Sequence, residues 1–250
     1  MAASISDIRL LLRVKSLPKS SASRRVFITG GTGYIGSGLI PILLERDHRV
    51  RVLVRPGSKA KLPAACEVVS GNALNANSYR QLIRPAETFI HLVGVAHPTP
   101  AKAAEFRAID LVSAREAIDA CAELGVHHFV YLSVAHPAPM AMKKDYIAVR
   151  PECEQMIEER HLNATILRPW YVLGPEHRWL YALLPLYKIC EWLPFTRAVA
   201  LRLGLVSLDE LILALVEAVE SPVQGTRIVS VPEIRFAGLN RSAAVTRQSA

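Results

Sequence analysis

Cysteine is scarce in this 250-residue chain. Cys66, Cys121, Cys153 and Cys190 are the whole supply, and no two of them form a CxxC pair. That excludes a disulfide framework and a cysteine zinc site, and the four read as reduced, mostly buried thiols of an intracellular protein. His97, His136 and His177 lack metal-ligand spacing, and His127-His128 precedes a strand, so no metal is expected. No uninterrupted apolar run is long enough to span a bilayer. The richest stretch, 178–205, is broken by Arg178, Pro185, Lys188, Glu191 and Pro194. A secretory h-region is not expected either, because Arg9 and Arg13 interrupt the apolar segment from Ile8 to Val14. Acidic residues are rare at both ends. Residues 1–25 carry a net charge of +5 and residues 237–250 a net +2, which leaves +1 of the total +8 for everything between. The basicity belongs to the tails, which argues against a folded nucleic-acid-binding face.

What is abundant is apolar residues, at 51% with a mean hydropathy of +0.23, enough for a sizeable core in one domain with a small appendage. Residues 1–24, rich in Arg and Ser, read as a flexible basic tail that fits an organelle transit peptide and a bacterial N-terminal extension equally well. The expected compartment is the cytoplasm, with organelle import if the tail is a transit peptide. Residues 237–250 are small and polar and are expected to be disordered.

The chain is organised around 25–46, RVFITGGTGYIGSGLIPILLER. A β-branched and aromatic run, Val26 to Thr29, predicts a buried strand. Gly30, Gly33 and Gly36 punctuate a turn, and Ile35, Leu39, Ile42 and Leu43 then follow helical spacing. Strand, glycine turn and helix opening make a phosphate cradle. Backbone N–H groups and the positive helix end face the anion, and the absent Cβ atoms let it approach. Pro41 conflicts with the helix interior, and a bend is expected there. Further strands are predicted at 49–55, 66–69, 88–93, 128–132, 164–167 and 226–231. Helices are predicted at 77–83, 102–124 (closed by Gly125), 142–161, and from the Ser207-x-x-Glu210 capping box to Glu220. This alternation predicts an α/β fold: a Rossmann-type, doubly wound parallel sheet over 25–174, with a small C-terminal substrate lobe over 175–236.

The TGxxGxxG spacing of TGGTGYIG resembles the fingerprint of extended and atypical short-chain dehydrogenase/reductases (SDRs), in their epimerase/dehydratase-like, NmrA-like and NDUFA-type branches. The resemblance covers about residues 25–235. It implies that Gly30, Thr32, Gly33, Tyr34, Ile35 and Gly36 hold a dinucleotide. Arg55 closes the second strand, nineteen residues after Gly36. An acid there would bind a ribose hydroxyl, whereas Arg pairs with a 2′-phosphate, so NADP is expected ahead of NAD. The resemblance puts Asn72 beside the adenine, where relatives carry Asp, and HLVG (91–94), with Val93 and Gly94, under the adenine ribose. LRPWYVLGP (167–175) is similar to the SDR segment beside the nicotinamide, which brings in Pro169, Trp170 and Tyr171. His91 reads as a packed strand residue.

The SDR catalytic set is a Ser or Thr after strand five, then Tyr-x-x-x-Lys on the next helix. This chain offers Tyr146 and Arg150, one helical turn apart, as acid/base and ribose clamp. Arg keeps the cation but not the lysine geometry. Val134 falls at the hydroxyl position, with Ser133, a candidate carbonyl donor, one residue early. The expected partner is a small, rather apolar carbonyl or hydroxyl substrate, with no nucleic acid, in a monomer or homodimer. The resemblance implies an NADP-dependent oxidoreductase or an epimerase/dehydratase-type enzyme. Two other readings stand beside it: a non-catalytic NADP(H)-binding sensor or structural subunit, and a membrane-peripheral protein held by its basic tail and apolar lobe.

Overall fold

The computed structural model describes residues 22–58, 62–95, 103–136, 144–173, 192, 195 and 203–237. Nine strands are described: β1 (Arg25–Thr29), β2 (Arg49–Val54), β3 (Glu67–Ser70), β4 (Thr88–His91), β5 (His128–Leu132), β6 (Ala164–Leu167), β7 (Tyr171–Leu173), β8 (Leu205–Ser207) and β9 (Thr226–Val229). The α-helices are α1 (Tyr34–Glu45), α2 (Arg80–Ile83), α3 (Val112–Leu124), α4 (Lys144–Glu159), α5 (Leu208–Glu220) and α6 (Val231–Phe236). A short α-helical turn (Ala103–Glu105) and a π-helical turn (Phe106–Leu111) lead into α3.

Seven strands form one parallel sheet in the order β3-β2-β1-β4-β5-β6-β9. The order reverses between β1 and β4, as in doubly wound folds. Alternation along β1 shows why both faces are covered. Val26 and Ile28 point into a core shared with Leu39 and Leu43 of α1 and Leu211 and Leu215 of α5. Phe27, between them, enters the opposite core with Ala117 and Cys121 of α3 and Val149 and Cys153 of α4. In that second core Phe27, Phe89 and Phe129 sit in register on three adjacent strands. Their rings stack at centroid separations of 5.2 and 5.5 Å.

Helix α1 runs on through Pro41. The backbone group left without a donor is the carbonyl of Ser37, an exposed residue, so water can satisfy it. Gly38 keeps α1 and α5 close, since a Cβ there would lie 2.7 Å from Ile212 Cδ1. At the far end of α1, Arg46 forms a buried two-point ion pair with Glu220, the last residue of α5. Gly125 closes α3 in the left-handed conformation (φ 64°), and Ser207 and Glu210 form the reciprocal capping box of α5.

Three sequence expectations are revised. The single helix expected over 102–124 contains the π turn. The strand expected over 226–231 stops at Val229, because Ser230 caps α6 through a second Ser-x-x-Glu box with Glu233. The segment expected to form a lobe contributes β9 to the main sheet, and α5 packs into its core. Within 175–202 only Trp192 and Phe195 are described, both highly exposed. No helix among the described residues is long and apolar enough to cross a membrane.

Candidate active site

Gly30 ends β1 at φ +75°, and a Cβ on it would lie 2.5 Å from the carbonyl carbon of Leu92. Only glycine lets the turn pass this close to the chain leaving β4. Gly36 is equally constrained, because its Cβ would meet Gly31 Cα at 2.5 Å. Gly33 is the N-cap of α1. It offers no side chain to occupy the helix end, and its N–H donates to Gly30 O at 3.0 Å. Ile35 and Gly36 thus carry first-turn N–H groups with no intrahelical acceptor, and that turn contains no acid. The result is an open anion cradle with exposed Thr32 on its rim.

The other expected positions fall along the same edge of the sheet. Reading across it, Asn72 follows β3, Arg55 follows β2, Gly30 follows β1, Val93 and Gly94 follow β4, Ser133 follows β5 and Pro169 follows β6. At about 4.8 Å per strand this row is roughly 24 Å long, the scale of an extended dinucleotide. Arg55 is exposed. Asn72 uses its Oδ1 to accept from Leu74 N at 3.0 Å, in a loop pinned by Ser78. Pro169 O accepts from Ala135 N at 2.9 Å, extending the β5–β6 contact past the strand ends.

Arg150 is buried, and both of its terminal guanidinium nitrogens are engaged. One guanidinium nitrogen donates to Leu132 O at 3.0 Å and to Tyr131 Oη at 3.4 Å, and the other pairs with Asp110. The group also lies over the Tyr131 ring, 5.9 Å from its centroid. Asp110, in the π turn, accepts Val95 N at 2.9 Å through its second oxygen. Burial pushes its carboxyl above the ordinary range, against the opposing pull of Arg150 and of the Val95 N–H. Gly94 lies directly on this pair, since a Cβ there would be 2.9 Å from the Arg150 guanidinium. His91 is packed beneath, hydrogen-bonded to Thr29 Oγ1 at 2.9 Å and Ser113 Oγ at 3.4 Å. Burial and Arg150 lower its pKa to about 3. It is a core residue.

Ser133 does not face open space. Its hydroxyl donates to Glu154 of α4, a buried carboxylate that Arg168 also grips at two points and that lies 3.4 Å from His136 Nε2. Val134 is buried beside it. Tyr146 lies on α4 one turn before Arg150, and its side chain falls outside the described residues. Trp170 and Tyr171 form an edge-to-face pair at 5.4 Å. Asp110, Glu154 and Arg168 are the members of the site that sequence reading missed. The i, i+4 step from Arg150 to Glu154 was the available signal. A separate cleft of about 560 Å³ opens at the opposite edge of the sheet, but two of its three arginines are committed, Arg51 to Glu67 and Arg25 to Glu87.

The NAD(P)H-binding family matches residues 30–179, from the first cradle glycine past β7. The chain belongs to that family. Among curated relatives of this NAD(P)H-binding protein is the ceramide reductase of Caulobacter vibrioides, 27% identical over 215 residues, which are 85% of this chain and 66% of that protein. A Stigmatella aurantiaca ketoreductase, named for a 4-farnesyl-3,4-dihydroquinoline-1-oxide, is 22% identical over 61% of this chain and 51% of its own. The chain thus spans about half to two thirds of the length of these relatives. In fold it matches the Bordetella bronchiseptica enzyme WbmH, solved with NAD+, at a TM-score of 0.63 and 23% identity, over 84% of this chain and 76% of that one. The parallel sheet is the fold shared with this NAD-bound enzyme.

Proposed function

We propose that this chain is an NADP-dependent oxidoreductase acting on an apolar carbonyl or hydroxyl substrate. The observation that carries the reading is the row of strand-end residues running from Arg55, past the glycine cradle, to Pro169. The cradle fits the cofactor, because its glycines occupy places a Cβ would fill and its helix start is free of acidic side chains. Gly30, Thr32, Gly33, Tyr34, Ile35 and Gly36 would hold the pyrophosphate, Arg55 the 2′-phosphate, Asn72 the adenine side, Val93 and Gly94 the adjoining ribose, and Pro169 the nicotinamide side. Bound there, a reduced nicotinamide supplies hydride to a carbonyl carbon. Tyr146 is the acid that protonates the carbonyl oxygen, and the Arg150 cation, fixed one turn away, favours its ionised form afterwards. Arg150, tied to Asp110 and Leu132 O, acts from beneath Gly94. The names of the two curated relatives, for a ceramide and a farnesylated quinoline oxide, support an apolar substrate.

A non-catalytic NADP(H) sensor is the second reading. Val134 at the hydroxyl position and the engagement of Ser133 by Glu154 favour it. Calorimetric titration with NADPH and NADH, on wild type and Arg55→Ala, tests the cofactor assignment. The expected result is NADPH binding that the substitution weakens selectively. Indifference of NADPH binding to Arg55→Ala overturns the 2′-phosphate assignment. A Tyr146→Phe variant that binds NADPH normally and has lost ketone reduction supports the enzyme, whereas wild type that binds NADPH and reduces no ketone supports the sensor.

A further inference from the structure

The hydroxyl that short-chain dehydrogenases place after strand five is replaced here by Val134, yet the same short segment ends in a partly exposed histidine held by a buried carboxylate. Ser133 to Ala135 run alongside 167–169, with Ser133 N donating to Leu167 O at 2.8 Å and Ala135 N to Pro169 O at 2.9 Å. This places His136 beyond the carboxyl ends of β5 and β6, where doubly wound sheets bind their ligands. Its Nε2 lies 3.4 Å from Glu154 Oε2. The Glu154 carboxylate takes the Ser133 hydroxyl and Arg168 Nε on one oxygen, and the second Arg168 nitrogen on the other. Beside a guanidinium it is an anion and can only accept. His136 must therefore present Nε2–H to Glu154, which leaves Nδ1 for another partner. Among the described residues Nδ1 has none. The side chain is 23% exposed, while that of Glu154 is 7% exposed.

We infer that His136, oriented by Glu154, is the second group at the substrate oxygen and takes over the part of the missing hydroxyl. This rests on the oxidoreductase reading above. In the imidazolium form Nδ1–H donates to the carbonyl oxygen as hydride arrives at carbon and negative charge grows on oxygen. The proton that completes the alcohol still comes from Tyr146. In the neutral form Nδ1 becomes an acceptor, suited to the hydroxyl of an alcohol in the reverse direction. Ser133 is a positioning residue, because its hydroxyl fills an oxygen of Glu154. Among the described residues the ionisable group against His136 is Glu154 of α4, which Arg168 after β6 also grips. Arg150, one turn earlier on α4, is engaged by Asp110.

Ketone reduction is followed with NADPH and 2-decanone or 5α-androstane-3,17-dione, and oxidation of the corresponding alcohols with NADP+. His136→Ala is expected to lower kcat about 100-fold, the effect of removing one oxyanion donor, with NADPH affinity by calorimetry unchanged. His136→Gln, which keeps a donor, recovers part of the rate. Unchanged kcat in both variants overturns the assignment while leaving the oxidoreductase standing. A readout independent of turnover is the 15N-histidine NMR signal that disappears in His136→Gln. It is expected to move when NADP+ is added, and a signal that stays put overturns the placement of His136 at the reactive end. Wild type that binds NADPH and shifts this signal but reduces neither ketone removes the oxidoreductase reading, and the catalytic role of His136 falls with it.

Discussion

Asp110 and Arg150, forty residues apart in sequence, meet as a buried ion pair directly under Gly94. The π turn that carries Asp110 is an irregularity of the kind that accompanies functional sites. One carboxylate oxygen holds the Arg150 guanidinium and the other the N–H of Val95, so the pair fixes both α4 and the loop leaving β4. The floor of the proposed cofactor site is thereby tied to the helix that bears Tyr146.

Removing one partner leaves the other charge stranded away from water. Asp110→Ala is expected to lower stability by about 3–5 kcal/mol, and the double variant Asp110→Ala/Arg150→Met to recover most of that loss. Urea unfolding of the four proteins in the cycle measures it. A double variant no more stable than Asp110→Ala would show that Arg150 matters through contacts other than this charge.

Gly30→Ala has two faults, an L-residue at φ +75° and a Cβ 2.5 Å from the Leu92 carbonyl carbon. The expected loss is about 2–4 kcal/mol, with NADPH binding weakened at least tenfold because the cradle must shift. Gly57 has almost the same φ, +76°, but nothing within 4 Å of a Cβ. Gly57→Ala should therefore destabilise by only about 1 kcal/mol and bind as wild type does. Equal losses at both positions would assign the effect to backbone strain alone.

Acid should unfold the protein through two buried histidines. Burial and Arg150 hold His91 at about 3, and burial and Arg24 hold His128 at about 4, both below the ordinary 6.5. As pH falls below 6.5 the unfolded chain takes up protons that the folded protein refuses, so stability drops progressively between about pH 6.5 and 3. His128 also bonds Thr165 Oγ1 at 2.9 Å. Urea midpoints at pH 7.0, 5.5 and 4.5 should decline in wild type and decline less steeply in His91→Gln and in His128→Gln. Parallel pH slopes in all three proteins would refute the assignment.

How much of this was legible in the sequence depends on the distance between cause and effect. Strands β5 and β6 were read at their observed residues, because Gly125 and Pro169 mark their surroundings and their β-branched and aromatic runs are short. The cradle was legible for the same reason: glycine, strand and helix lie within a dozen residues. The capping box Ser207–Glu210 is equally local, and its twin Ser230–Glu233 carried the same signature, overlooked because an apolar run preceded it. The interior of the site is different. Nothing in the spacing of Asp110 and Arg150, or of Ser133, Glu154 and Arg168, announces that they touch. Their contacts are made by parallel strands bringing distant segments to one edge. Nor does composition tell that Thr226–Val229 belongs beside β6, since strand order is a property of the packed helices as much as of the strand.

The ion pair between Arg46 and Glu220 spans 174 residues. At roughly 5–20 residues per second, a ribosome that has finished α1 needs about ten to thirty-five seconds more to deliver its anchor. During that interval the apolar face of α1, with Leu39, Ile40 and Leu43, has β1 and β2 to lie against but not α5. The newborn protein therefore passes through a stage in which its nucleotide cradle is complete in sequence and half covered in space. Chaperones have their longest window of access to this chain along that exposed face.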